Sequence, residues 1–271
     1  MSADQASLLA TSRAFRAARL QAKALPDFPG AIPATMDEAY RLQDLSIGAW
    51  SDRPVGWKIG LVPPPLRAEL GAERLSGPIF SRAVWPAAGA PLPVPVFVGG
   101  FAAVEAEFVF RLSQEVPAQG DVTDDALAAL AGALHIGVEM AGSPLATINE
   151  LGPRVVVSDF GNNAGLVLGP EIPGWRGLAW ADMPTRTIID GAEVGTGSAA
   201  SIPGGPLAAL RFLMENLRRR GHPLPAGTLV STGATTGVHE IRAGSTARVE
   251  FGRFGHVDVV AVAAAGNGEA A

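Results

Sequence analysis

Apolar positions recur at helical spacing in two opening stretches of the chain. Residues 4–24 are rich in Ala, Leu and Arg, and Pro26 and Pro29 stop that helix. Thr35-Met-Asp-Glu38 has the form of a capping box and predicts a second helix to about Trp50. From Pro54 the pattern changes to short apolar runs broken by Gly and Pro. These predict strands at 55–61, 91–98, 103–112, 134–140, 154–158, 164–168, 185–190, 193–197, 228–232, 245–251 and 255–263. Helices are expected at 63–70, 123–132 and 205–220, the last with Pro206 in its first turn and Gly221 just past its end. Asp190-Gly191 reads as a tight hairpin turn and Gly252-Arg-Phe-Gly255 as a longer one. So many strands with so few crossover helices argue against a doubly wound parallel sheet. The pattern predicts an α+β fold: a mixed β-sandwich or β-roll with an N-terminal helical cap. One domain is expected over 1–271, with the cap at 1–53, a β-rich core at 54–263 and a frayed polar tail at 264–271.

Composition narrows the class. Hydrophobic residues make up 48% of the 271 and charged ones 17%, enough for a large buried core. The net charge of −5 argues against nucleic acid or an anionic membrane as partner. Arg218-Arg219-Arg220 is the one basic run, and it sits where a helix ends and cations suit the dipole. With no cysteine, disulfides, thiolate catalysis and sulfur-ligated metals are excluded. No basic segment followed by an apolar one opens the chain, and no apolar run reaches membrane-spanning length, so a cytoplasmic protein is expected.

Within Phe101-Ala-Ala-Val104-Glu105-Ala-Glu107-Phe-Val109-Phe110 two carboxylates interrupt an apolar run. As a strand, this puts Glu105 and Glu107 on one face, roughly 7 Å apart, opposite the apolar face of Val104, Phe108 and Phe110. A bare E-x-E is more often a solvated strand face. If the face is buried, two like charges need a cation between them. Glu139, in the apolar run Leu134-His-Ile-Gly-Val-Glu139-Met, would add a third oxygen ligand were its strand a neighbour. Four histidines with no paired spacing leave oxygen as the donor, which suits Mg²⁺ or Mn²⁺ and makes zinc a poor fit.

Lys58, in Val55-Gly-Trp-Lys58-Ile-Gly60, is a lone cation in an apolar segment. It reads either as an edge-strand lysine snorkelling to water or as an ammonium aimed at an anionic substrate. Ser231-Thr-Gly233-Ala-Thr235-Thr-Gly237 can present backbone N–H groups to a carboxylate, although turns of this composition are common. Ser158-Asp-Phe-Gly-Asn162-Asn163-Ala-Gly165 is either a polar loop or a site wall. His135 falls on the nominal face of Glu139 and reads as a packed strand residue. Dinucleotide, P-loop and nucleophile-elbow motifs are absent.

In order, Gly56-Trp-Lys58-Ile-Gly60, Val104-Glu105-Ala-Glu107-Phe, Gly137-Val-Glu139, Gly161-Asn-Asn-Ala-Gly165, Gly205-Pro-Leu-Ala-Ala-Leu and Leu224-Pro-Ala-Gly-Thr-Leu-Val-Ser-Thr-Gly233 form a set. The set resembles the 2-keto-4-pentenoate hydratase and 4-oxalocrotonate decarboxylase branch of the fumarylacetoacetate hydrolase superfamily. The resemblance implies that superfamily's β-roll, built into a homo-oligomer. It implies a lyase holding Mg²⁺ or Mn²⁺ on Glu105, Glu107 and Glu139, with Lys58 facing a 2-oxo acid or 2-hydroxydienoate that reacts through a metal-stabilised enolate. Asn163 and Thr235 would line the substrate. Hydration is the first expectation, with decarboxylation next, then acylpyruvate C–C hydrolysis; a homologue that binds metal or oxo acid without turnover is the remaining alternative. Two positions depart from that pattern. Arg82, in Gly77-Pro-Ile-Phe80-Ser-Arg82, stands where the hydratases carry an acid, and could hold a second carboxylate. Asn162-Asn163-Ala-Gly165 replaces Asp-Asn-Ala-Ser and loses a hydroxyl.

Overall fold

The computed structural model describes residues 3–266, so the far end of the expected tail, 267–271, lies outside the described residues. Helices α1 (Ala3–Leu20) and α2 (Met36–Gly48) lead the chain. Thr35 caps α2 by accepting from the Glu38 N–H at 3.1 Å, and the Glu38 carboxylate reaches back to the Ala34 N–H at 2.7 Å. The returning half of the capping box therefore lands one residue before the cap.

The remaining elements are β1 (Pro54–Leu61), α3 (Arg67–Leu70), β2 (Arg74–Phe80), β3 (Val84–Pro86), β4 (Leu92–Val96), β5 (Phe101–Arg111), α4 (Asp124–Leu130), β6 (Ala133–Ser143), α5 (Pro153–Ser158) and β7 (Asn163–Glu171). They continue as β8 (Pro184–Ile189), β9 (Ala192–Ser198), α6 (Gly205–Arg220), β10 (Leu229–Ser231), β11 (His239–Glu240), β12 (Thr246–Glu250) and β13 (His256–Ala263). The strand expected at 154–158 is the helix α5. Gly152 at φ 92° turns the chain, Pro153 opens the helix, and the N–H groups of Val156 and Asp159 close on Gly152 and Val155. Three consecutive valines favour a strand by propensity, but here they are buried among Phe15, Tyr40 and Leu145, and packing overrides propensity. β2, β3 and β11 are additional to the expected strands. β2 carries Gly77-Pro78 at its centre and is tolerated because it ends its sheet, where proline leaves no ladder partner unmet.

Eight strands form a curled sheet in the order β2-β1-β10-β5-β6-β7-β3, with β11 also pairing β5; a second sheet runs β4-β13-β12-β8-β9. Most pairs are antiparallel, while β1/β10, β3/β7 and β4/β13 are parallel. Asp190 and Gly191, both at positive φ, join β8 to β9 as the hairpin signal predicts. This is the mixed β architecture with a helical N-terminal part that the pattern predicts.

Alternation along β5 divides the molecule. Val104, Ala106, Phe108 and Phe110 enter the main core, which includes Val249, Val257 and Val259 of the second sheet and Phe251 just after β12. The other face lines the inside of the curl, where Val109 packs with Ile79, Leu166 and Leu229. At the other end of that face Phe101 and Ala103 share a core with Phe15 and Tyr40 of the leading helices. Glu105 and Glu107 lie between these two apolar clusters. No helix among the described residues is long and apolar enough to cross a membrane.

The turn Phe160–Asn162 closes over β2 so tightly that a Cβ on Gly77 would fall 2.0 Å from the Phe160 carbonyl oxygen. We expect Gly77→Ala to destabilise the fold by about 1–3 kcal/mol in denaturant titrations, the scale of overpacking against an unyielding neighbour. Gly48→Ala, where a Cβ meets nothing within 4 Å, should be neutral or slightly stabilising. Equal stability of the two variants would show that the Phe160 turn is free to move.

Candidate metal centre

β5 and β6 pair antiparallel with Glu105 opposite Glu139 and Glu107 opposite Gly137. Opposed residues share a face, so all three carboxylates enter the curl together, and one oxygen from each lies within 4.8 Å of the others. Glu105 is 5% exposed, and Glu107 and Glu139 are fully buried. β10 lies between β1 and β5, with Lys58 opposite Ser231 and Ser231 opposite Val109. This register carries Lys58 onto the same inner face, where its Nζ stands 3.2 Å from Glu139 Oε1. The surface-lysine reading is excluded, since Lys58 is 3% exposed.

Each charged group is held by neighbours on other elements. Ser231 Oγ and the Gly233 N–H both donate to Glu107 Oε2, at 2.5 and 3.0 Å. Asn163 Nδ2 donates to Glu139 Oε1 at 3.0 Å, and Lys58 Nζ donates to Asn162 Oδ1 at 3.2 Å. The turn after β10 does present an N–H to a carboxylate, and that carboxylate is the protein's own Glu107. Thr235 closes the same turn, its N–H and hydroxyl both donating to the Ala106 carbonyl between the two glutamates.

Burial raises the carboxyls of Glu105 and Glu107. For Glu105 the Lys58 ammonium pulls back and Glu139 adds to the rise, leaving it pushed up to about 7. Glu107 stands well above the usual range, through burial and then the repulsion of Glu139 and Glu105. Burial works against the Lys58 ammonium too, but attraction to Glu139, Glu105 and Glu107 outweighs it and holds the amine above its ordinary value. With the three carboxylates around it, Lys58 is a charged donor.

Three carboxylates against one ammonium leave a buried excess of negative charge. Glu107 Oε1 and Glu139 Oε2 are buried with no hydrogen-bond partner. Orphaned buried oxygens are costly, and both belong to the cluster where the three side chains converge. Hard oxygen donors without His or Cys fit a hard divalent cation such as Mg²⁺ or Mn²⁺.

The structure thus brings Lys58, Glu105, Glu107, Glu139 and Asn163 together, with Thr235 bracing the strand between two of them. Arg82 lies outside this group, exposed on a short turn after β2. Its N–H donates to Asp52 Oδ2 at 2.8 Å, and Ser81 Oγ donates to Asp52 Oδ1 at 2.5 Å. His135 is packed, its Nδ1 3.1 Å from the Gly169 carbonyl. At Gly165 a Cβ would fall 2.3 Å from the Trp85 ring, so the absent hydroxyl goes with an indole packed in its place. Asn162 as the partner of Lys58, and Ser231 as that of Glu107, were visible in sequence only as members of polar turns.

Residues 81–261 match the model of the fumarylacetoacetate (FAA) hydrolase C-terminal family. A 2-keto-4-pentenoate hydratase of Burkholderia vietnamiensis is 28% identical over 209 residues, 76% of this chain and 77% of that protein. A 4-oxalocrotonate decarboxylase of a Pseudomonas species is 27% identical over 249 residues, 88% of this chain and 91% of its own. The solved structure of the 4-oxalocrotonate decarboxylase of Pseudomonas putida G7, complexed with magnesium and adipate, shares the fold at a TM-score of 0.79 and 22% identity, covering 95% of this chain and 98% of that one. Since the family match spans well over half the chain, this protein belongs to the fumarylacetoacetate hydrolase C-terminal family.

Proposed function

We propose that this protein is a metal-dependent lyase of 2-oxo acids, a 2-keto-4-pentenoate hydratase-like enzyme acting on a 2-hydroxydienoate. The observation that carries this reading is the buried Glu105–Glu107–Glu139 cluster with Lys58 beside it, in a chain that aligns along most of its length with hydratases. Glu105, Glu107 and Glu139 would hold Mg²⁺ or Mn²⁺. When bound, such a cation supplies a Lewis acid for the substrate's 2-oxo acid oxygens. Lys58 holds a second positive charge beside the same spot, aimed by Asn162, and stabilises negative charge developing on the substrate oxygen. Asn163 fixes Glu139, while Thr235 keeps the strand between the two glutamates in register. The apolar floor of Ile79, Val109, Leu166 and Leu229 keeps water from the far side of the cluster. All four histidines bond elsewhere, to Gly169, Asp44, Thr236 and Asp258, which disfavours a histidine-activated water and with it C–C hydrolysis.

Decarboxylation of a 4-oxalocrotonate-type substrate is the second reading. It is favoured by the loop where the hydratases place an acid: this chain has Arg82 there. The nearby Asp52 is held ionised, its burial outweighed by hydrogen bonds from Ser81 and the N–H groups of Arg82 and Arg53, so it offers no proton. Turnover of 2-hydroxypenta-2,4-dienoate against 4-oxalocrotonate, with and without Mg²⁺, separates the two. Arg82→Asp should weaken use of the dicarboxylic acid, where a guanidinium would pair with the distal carboxylate; unchanged use of both substrates would remove Arg82 from the site. We read the chain as one catalytic domain, supported by the core that the leading helices share with β5 and β6. We also read it as a cytoplasmic homo-oligomer; sedimentation at a monomer's mass would reject the assembly.

Two variants test the centre itself. Glu105→Gln removes one of three mutually repelling charges, so the fold should survive while stabilisation by Mg²⁺ or Mn²⁺ disappears. Equal divalent-ion shifts in thermal midpoint for wild type and variant would sink the site. Lys58→Met strips the cluster of its counter-charge, so the metal-free protein should lose stability and regain it on adding Mg²⁺. Its turnover should fall by at least about two orders of magnitude, the scale of one oxyanion donor. A Lys58→Met enzyme with wild-type rate would leave the ammonium no role in the reaction.

A further inference from the structure

Asn162 and Asn163 hold Lys58 and Glu139 from a turn that is itself improbable. Phe160, Gly161 and Asn162 stand at φ 54°, 65° and 55°, three successive residues in the left-handed region. Only glycine adopts that conformation freely, and strained segments of this kind persist where their surroundings fix them. The turn is fixed from behind by Arg19, the penultimate residue of α1.

Arg19 makes five hydrogen bonds, and its side chain is 7% exposed. Its Nε and Nη2 bind the Asp159 carboxylate at 2.6 and 3.0 Å, before the turn. Its Nη1 donates to the Asn163 carbonyl at 2.9 Å, after the turn. Nη2 also donates to the carbonyls of Gly142 at 2.9 Å and Asp159 at 3.2 Å. The Phe160 and Phe97 rings lie 5.2 and 5.6 Å from the guanidinium carbon. Ser143 Oγ completes the carboxylate's shell, donating to Asp159 Oδ2 at 2.6 Å. The guanidinium therefore grips both ends of a left-handed turn whose two asparagine side chains point the other way, into the curl. On the far side, the close approach of Gly77 leaves the turn no room to relax inward.

We propose that Arg19 is a positioning residue for the metal centre: it clamps the left-handed turn that aims Asn162 at Lys58 and Asn163 at Glu139. The N-terminal helix then belongs to the catalytic apparatus as well as to the packing. Lysine cannot replace this arginine, because a single ammonium does not span a carboxylate and three carbonyls as the planar fork does. The inference rests on Glu139 being a cation ligand, as proposed above.

The test compares Arg19→Lys and Arg19→Met with wild type in two measurements: calorimetric titration with Mg²⁺ and Mn²⁺, and amide hydrogen exchange of the metal-free protein. Thr11→Ala is the control. It removes the hydroxyl bond from α1 to the Pro29 carbonyl at 2.9 Å and so loosens the same helix without touching the turn. Well below the unfolding temperature, both Arg19 variants should bind the cation at least about tenfold more weakly, the scale for an outer contact of a metal ligand. Their amides at 161–163 should exchange faster, and Thr11→Ala should change neither readout. Should the Arg19 variants not fold, Ser143→Ala, which removes one bond to Asp159, takes their place with the same expected directions. Wild-type affinity and wild-type exchange in the substituted protein would overturn the clamp. A wild-type protein that binds no divalent cation would overturn the metal reading instead, and the exchange measurement would still decide whether Arg19 holds the turn.

Discussion

Three carboxylates enclosed with a single ammonium set the terms for the rest of this molecule. An uncompensated buried charge costs several kcal/mol, and a domain's whole stability is of the order of 5–15 kcal/mol. Two excess negative charges cannot simply be left inside the curl. The surroundings respond in the ways chemistry allows: Lys58 is drawn in and kept charged, Glu107 receives a hydroxyl and an N–H, and Glu105 and Glu107 have their carboxyls raised. What remains unmet is one oxygen each on Glu107 and Glu139, both in the cluster where the carboxylates converge. A divalent cation meets both oxygens and the charge excess at once.

That arrangement forces a division of labour on β5. Its outward residues, Val104 to Phe110, are committed to the main core, so the strand cannot rotate or slip by one residue without burying Glu105 and Glu107 among Phe251 and Val249. The same alternation that packs the two sheets thereby fixes where the carboxylates point. Register with β6 then decides that Glu139, rather than a neighbour such as Val138, meets Glu105. Packing energy on one face of the strand pays for precision on the other.

The carboxylate face was legible in sequence because period-two alternation in a Val- and Phe-rich run carries direction as well as identity. Lys58 was legible as unusual, though a lone cation in a strand does not say which face it takes; its pairing through β10 decides that. The residues that aim the charged groups were harder to read. Asn162 acts only because three successive left-handed residues place it, and no local propensity announces such a turn at Phe160. The run Val155-Val156-Val157 misleads in the opposite direction: its strand propensity is real, but a preceding Gly-Pro and a pocket among the leading helices settle it as α5. β2 was hidden by its central Gly-Pro, which an edge strand accommodates and a central one would not.

Gly165 shows how a departure in chemistry is tied to a departure in packing. The hydroxyl expected beside Asn163 is missing, and the space into which any side chain at 165 would project is filled by the Trp85 ring, 2.3 Å from the ideal Cβ, with the Ala83 carbonyl at 2.9 Å. Trp85 sits on β3, which pairs in parallel with β7 and packs its indole against the main core. A serine at 165 would have to move that indole and shift β3 against β7, in a part of the sheet that also carries the Arg82 turn two residues earlier. The two positions at which this chain leaves the hydratase pattern, 82 and 165, are therefore neighbours through Trp85 and Ala83. They belong to one corner of the molecule in which the packing differs, while the carboxylates and Lys58 stay in place.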